Sequence, residues 1–447
     1  MKRTLARARI RAILPVVTAA IVSQSLAGQT PDTAGAVAAL AEFEAACQRA
    51  EALWPVPLCG PVVLVDPATR LAVANRLDPD STFEPRHAAW VGSWPEGMPV
   101  ANTAIQWGDA WWAMAMLPLR GDFFGRLRLL AHESFHRIQP ALGHDVSDPM
   151  ATHLDEEEGR VWLRLELRAL ARALEAEDDE ARAATRDALL FRQLRHRLFP
   201  GAAEVERQLE AHEGLAEYTG VRFALDATGE PVARAASLVA RFEDTPTYVR
   251  SLGYGTGPAL GLLLDRLAPG WRLDVGTRPD LATFLAAATG APATLPDEAA
   301  DDAYVLRRAH AYDLQTVRAE EWQRANRMAG LRDRYHRELV EGPVLNLELP
   351  EGRLMFNPNT VLSLGEHGNV YPGAILLGPW GRLTLHDGAA LAPEVRYRAR
   401  VVAPDVLEPG DDGVLAGPGW TLELEPGWRL VPGPRSGDVE LQPPASR

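Results

Sequence analysis

Near residue 342 the chain changes its hydrophobic period, so one regular architecture cannot accommodate all of it. From Gly121 to about residue 341, apolar residues recur at three- and four-residue spacing among charged ones, the pattern of amphipathic helices. Beyond Gly342, short β-type runs such as Val344–Leu349, Val370–Leu376 and Arg396–Val402 alternate with Pro and Gly, which predicts a small antiparallel β domain. A third texture precedes both. Pro61-Val62-Val63-Leu64-Val65-Asp66 reads as a strand, and Thr103–Trp107 and Ala110–Leu117 flank Gly108-Asp109 as a hairpin. The fold class expected is therefore α+β. Residues 28–120 carry a sheet, 121–341 form a largely helical part, and 342–447 form the β domain.

Within the helical part, Asp122 is placed to cap a helix over Phe123–Gln139 with Pro140 as its stop. Charged residues recurring between Asp155 and Leu198 predict helices with ion-paired faces, Pro200-Gly201 breaks them, and Ala202–Tyr218 forms another helix. Ala36–Leu53 and much of Leu281–Val340 also read as helical.

The first residues constrain location. Five bases precede Ala12, an apolar run from Ala12 to Val22 follows, and Ser25-Leu26-Ala27 supplies small residues, the pattern of a signal peptide cleaved near Ala27. Removing those five bases takes the formal charge from −14 to −19, which argues against binding nucleic acid through a basic surface. Lys2 is the only lysine, so a mature chain has no P-loop or Schiff-base lysine. No other apolar run is long enough to span a bilayer, and no membrane insertion is expected after processing. In an oxidising compartment Cys47 and Cys59, the two cysteines, are expected to form a disulfide between the first helix and the strand after it.

The chemistry concentrates in His132-Glu133-Ser134-Phe135-His136. Histidines at i and i+4 share one helical face, close enough for both to bind one Zn²⁺, with Glu133 beside them. The flanks Leu129, Leu130, Ala131, Phe135 and Ile138 are apolar, and burying two unpartnered imidazoles and a carboxylate among them would cost several kcal/mol that a metal removes. Further on, His212-Glu213-Gly214-Leu215-Ala216-Glu217-Tyr218 contains Glu-Gly-x-Ala.

These two segments together resemble gluzincin metallopeptidases, the group that includes thermolysin and aminopeptidase N. The resemblance implies a zincin-like catalytic domain, zinc ligands His132, His136 and Glu213, and Glu217 as the acid that orients a zinc histidine. Glu213 follows His136 by 77 positions, far more than in familiar members, so the helices of Asp155–Leu198 are expected to be an insertion. Glu206, Glu210, Glu213 and Glu217 also form one stripe whose simpler reading is a solvated face, with Glu210 or Glu217 as alternative ligands, and His212 is expected at the surface or behind the ligands. Tyr254-Gly255-Thr256-Gly257 is similar to the helix start that supplies a transition-state tyrosine in aminopeptidase N relatives. That makes Tyr254 the candidate oxyanion donor, with Tyr248 and Tyr218 as fallbacks. Trp112-Ala113-Met114-Ala115-Met116 lacks the glutamate of an amine clamp, and an apolar edge strand there is expected to hold extended peptide instead. Trp107, Trp111 and Trp112 are expected mainly in the core, His144 and His153 in solvent.

The expected function is an exported zinc-dependent peptidase acting on peptide or protein substrates, with Glu133 taking a proton from zinc-activated water and passing it to the leaving amine. The competing reading is an exported zinc-binding module whose site has lost catalysis. A carbohydrate hydrolase using paired carboxylates leaves the histidine spacing unexplained.

Overall fold

The computed structural model describes residues 32–49, 52–144, 147–291, 302–349, 353–357, 360–392, 398–410 and 413–444. The leader reading of residues 1–27 lies outside them. The described chain is α+β and separates into two compact units, 28–314 and 315–447. The division precedes residue 342 because the last long helix belongs with the β unit.

The first unit opens with α1 (Thr33–Arg49), whose Cys47 is disulfide-bonded to Cys59 as expected. A six-stranded sheet follows, built from β1 (Val62–Val65), β2 (Leu71–Ala74), β3 (Glu84–Arg86), β4 (Ala89–Ser93), β5 (Thr103–Trp107) and β6 (Ala110–Met116). Its order is β3-β4-β2-β1-β6-β5, with β1 and β6 parallel and the other pairs antiparallel. The continuous β-branched and aliphatic run of β1 is buried at every position, as a central strand covered on both faces requires. Trp94, Trp107, Trp112 and Met114 share one buried cluster on this sheet, while Trp111 is exposed. Strand β6 is interior, and the edge on its side of the sheet belongs to β5; the apolar edge expected at Trp112–Met116 is corrected by this strand order.

Helix α2 (Phe123–Leu142) packs across β5 and β6. The Asp122 carboxylate accepts the Gly125 N–H at 2.8 Å, as its capping position predicts. Pro140 does not end the helix. In the last turn it removes only one backbone donor, and the helix runs on to Leu142 and is capped by Gly143 at φ +70°. The helical part continues with α3 (Glu157–Glu175), α4 (Asp178–Leu198), α5 (Ala202–Leu209), α6 (Leu215–Thr228), α7 (Ala233–Phe242), α8 (Leu252–Leu267), α9 (Trp271–Asp274), α10 (Leu281–Thr289) and α11 (Asp302–His310). The single helix expected over Ala202–Tyr218 is interrupted. Between α5 and α6, residues Glu210–Gly214 make a π turn in which the Leu215 N–H donates to the Glu210 carbonyl.

The charged faces of α3, α4 and α5 are buried against one another, not solvated. Arg195 donates to Glu206 at 2.6 Å and pairs with Glu166 at 2.7 Å, and Arg192 pairs with Glu166 at 2.6 Å and Glu210 at 2.5 Å. Each of these five side chains is at most 4% exposed.

In the second unit α12 (Leu314–His336) leads into β7 (Val344–Glu348), β8 (Arg353–Met355), β9 (Leu362–Ser363), β10 (Asn369–Pro372), β11 (Ile375–Gly378), β12 (Gly381–Leu385), β13 (Ala389–Ala392), β14 (Arg398–Val402), β15 (Val414–Gly417), β16 (Trp420–Leu424), β17 (Arg429–Pro432) and β18 (Val439–Gln442). They form a seven-stranded sheet, β17-β18-β7-β14-β13-β10-β9, and a five-stranded sheet, β15-β16-β12-β11-β8. The expected purely antiparallel domain is corrected at one pair, β18 with β7, which runs parallel. Leu347, Leu376, Trp380, Leu383, Trp420 and Leu422 from both sheets share one core. Tyr335 and Leu339 pack on Leu362, Val370 and Leu391, which is why α12 belongs here. Among the described residues no helix is long and apolar enough to cross a membrane.

The buried ion network makes a pH prediction. Burial alone would raise the Glu206 carboxyl, but Arg195 and His196 hold it well below its ordinary 4.5. Its folded value is depressed, so its contribution is complete above about pH 4.5 and is lost as pH falls through the folded value. Arg195→Met should cost about 3–5 kcal/mol at pH 7 in urea unfolding, because it leaves Glu206 and Glu166 buried without that partner. It should also flatten the loss of stability below pH 4.5. Wild-type stability at pH 7 in the variant would refute the assignment.

Candidate metal centre

Helix α2 presents His132 and His136 one above the other toward α6, their rings 4.8 Å apart between centroids. The two Nε2 atoms lie 3.1 Å from each other. Glu213, delivered by the π turn, brings Oε2 to 3.3 Å from His132 Nε2 and 3.5 Å from His136 Nε2. These three side chains are 5%, 12% and 15% exposed, and their donor atoms lie within 4.8 Å of one another, a grouping able to hold a metal ion.

The hydrogen bonds behind the rings settle which nitrogen faces inward. His132 Nδ1 is 2.8 Å from Glu217 Oε2, and Glu217 is itself paired with Arg128 at 3.0 Å. His136 Nδ1 is 2.7 Å from Gln139 Oε1. The glutamine is oriented unambiguously, because its Nε2 faces the carbonyls of Ala211 and His212 at 3.1 and 3.0 Å. Both Nδ1 atoms therefore donate, and in neutral rings both Nε2 atoms turn lone pairs toward each other and toward a carboxylate. That arrangement needs a cation. Burial disfavours a charged His132, yet the carboxylates of Glu213 and Glu217 push it up to about 10, so a proton is held where a metal is not. Glu133 Oε2 and Glu213 Oε2 are buried without a hydrogen-bond partner, which fits a centre whose remaining valence is a positive ion. Burial also pushes the Glu133 carboxyl up to about 7, with His132 and His136 pulling it down.

The π turn that carries Glu213 is held from three sides. Arg192 donates two hydrogen bonds to the Glu210 carboxylate, at 2.8 and 2.5 Å, and Thr256 Oγ1 donates a third at 2.6 Å. Helix α8 crosses the turn backbone to backbone. A Cβ on Gly257 would stand 2.3 Å from Gly214 Cα, and one on Gly253 would stand 2.7 Å from Gly214 N, so neither position admits a side chain. From α2, Gln139 donates to the turn's carbonyls.

The side chains read from the sequence converge in part. His132, Glu133, His136, Glu213 and Glu217 form one cluster, and Tyr254 joins it, its ring stacked on His132 at 5.4 Å and 10°. Burial and the negative charge of Glu213 raise the Tyr254 hydroxyl's pKa well above its ordinary value. The fallback tyrosines are elsewhere employed: Tyr248 donates to the Glu243 carbonyl, and Tyr218 donates to Asp265. The four-glutamate stripe divides, Glu206 and Glu210 facing arginines and Glu213 and Glu217 facing histidines, so Glu210 is not a ligand. His212 is buried against His136 at 5.0 Å between ring centroids, not at the surface. His144 and His153 are not in solvent either. His144 packs on Trp54 and Phe135, and His153 meets Glu206 at 2.7 Å. Gln139, Arg192 and Thr256 escaped the sequence reading; only Gln139 left a signal, lying on the motif's own face at i+3 from His136.

Comparison with protein-family models, characterised proteins and solved structures returned no match.

Gly257→Ala tests the crossing of α8 over the π turn. The added methyl meets backbone, not a movable side chain, and should cost about 1–3 kcal/mol in urea unfolding. Gly330→Ala on α12, where nothing lies within 4 Å, should instead gain up to about 1 kcal/mol. Equal, small effects at the two sites would contradict the close approach.

Proposed function

We propose that this chain is an exported zinc-dependent peptidase of the gluzincin kind, with a zincin-like catalytic unit. The observation that carries the reading is the convergence of His132 Nε2, His136 Nε2 and Glu213 Oε2 on one buried point. Two imidazoles and a carboxylate are the donor set of catalytic zinc sites, which keep a further position open. A zinc ion held there would polarise a scissile carbonyl and make water acidic near neutral pH.

The chain's own residues then have distinct tasks. Glu133 takes a proton from water at its carboxylate and returns it to the departing amine. Its position next to His132 and the unpartnered Oε2 suit that transfer, and a divalent cation nearby would lower its pKa from about 7 into the range of a carboxylate base. The Tyr254 hydroxyl, beside Glu213, donates to the oxygen that becomes negative as the carbonyl is attacked. Glu217 and Gln139 keep the two imidazoles turned so that Nε2 points inward.

An acidic surface, the leader-like first 27 residues and the Cys47–Cys59 disulfide support export and a peptide substrate over nucleic acid. The α2 helix laid across the open-edged strand β5 supports extended peptide as the bound form.

Metal content and digestion of a mixed-sequence peptide library, measured on wild type and Glu133→Gln, test the proposal together. One zinc per chain in both proteins is expected, with turnover falling about 10²–10⁴-fold in the variant. Undiminished cleavage by Glu133→Gln removes the mechanism, and zinc without any cleavage by wild type makes the protein a binding module.

A further inference from the structure

Gln139 is 2% exposed, and its carboxamide joins the two halves of the centre. Its Oε1 accepts from His136 Nδ1 at 2.7 Å, while its Nε2 donates to the Ala211 and His212 carbonyls at 3.1 and 3.0 Å. One of those carbonyls needs a donor because of the π turn itself. The Leu215 N–H, which in an α-helix would go to Ala211, goes to Glu210 instead, so the Ala211 carbonyl loses its ordinary partner beside the ligand it precedes by two residues.

We propose that Gln139 is a positioning residue that couples His136 to Glu213, fixing the inward face of the imidazole and the height of the π turn with one side chain. The inference rests on the zinc reading given above. Glu217 aligns His132 from α6, but it reaches only one ring and no backbone of the turn. Among the described residues Gln139 alone bridges His136 on α2 and the backbone that carries Glu213 from beyond the charged helices α3 and α4. The turn's other supports, Arg192 and Thr256, act on the Glu210 side chain and make no bond to His136. A glutamine is the right group for this place: it offers an acceptor and a two-hydrogen donor on one short planar head, and the two carbonyls use the donor fully.

The test is a double-mutant cycle on metal affinity, using the purified mature chain, zinc ions and a competing chelator. Gln139→Met keeps the volume and removes both interactions. It should raise the zinc Kd about 10–100-fold in the wild-type background. In the Glu213→Ala background the same substitution should cost a clearly smaller factor, because only the His136 arm remains to be lost. Gln139→Glu keeps an acceptor for His136 but presents a second acceptor to the carbonyls, so nearly all of its effect should vanish when Glu213 is absent. This pair also completes the cycle if Gln139→Met does not fold. Melting temperatures of the metal-free proteins report any purely structural loss, which lowers stability without making the two substitutions interact.

Equal factors in both backgrounds would overturn the coupling while leaving the zinc reading intact. Wild type that binds zinc no more tightly than Glu213→Ala would overturn the zinc reading, and the coupling with it.

Discussion

Two imidazole nitrogens held 3.1 Å apart, both facing inward, are the constraint around which the first unit is organised. Such a pair repels itself in the neutral state and is costly to bury in the charged state, so the fold must supply either a cation or carboxylates to compensate. It supplies the carboxylates: Glu213 between the rings, Glu133 beside them and Glu217 behind, each largely removed from water. The excess of acid over base at one buried point is what makes the cluster able to hold a positive ion.

The helices between the two segments explain how Glu213, 77 positions after His136, can be placed beside it. Helices α3 and α4 bring Glu166, Arg192 and Arg195 into the interior, where they close a charge network with Glu206 and Glu210. Buried ion pairs add little net stability over apolar packing, but they are directional, and a mispaired register leaves charges stranded. Glu210 is the last member of that network and the first residue of the π turn, so the network's geometry passes to Glu213 three residues on. Glycines on α8 and the amide of Gln139 limit the turn from its other sides.

What could be read in the sequence was local. The i, i+4 histidines needed only helical periodicity, the cap at Asp122 and the hairpin at Gly108-Asp109 needed only turn chemistry, and Cys47 and Cys59 had no other partners. Glu213 was legible through the pattern around it. The π turn was not, because its signal is a backbone register set by packing against Gly253 and Gly257. The fate of the glutamate stripe was hidden for the same reason: period alone cannot tell a solvated face from one buried on arginines of another helix. His144 and His153 read as loop histidines, yet the first fills an apolar niche beside Trp54 and the second serves Glu206. Strand order put β5 at the edge of the sheet and α12 with the β unit, and both depend on long-range pairing that no short window contains.

X-ray absorption at the zinc edge of the purified protein addresses the centre most directly, since it reports the identity and distance of the atoms around the ion. Two imidazole nitrogens at about 2.0–2.1 Å are expected, with oxygen making up the rest of the shell and no sulfur. A shell of oxygen alone without imidazole scattering, or a protein that retains no zinc to measure, would contradict the zinc reading.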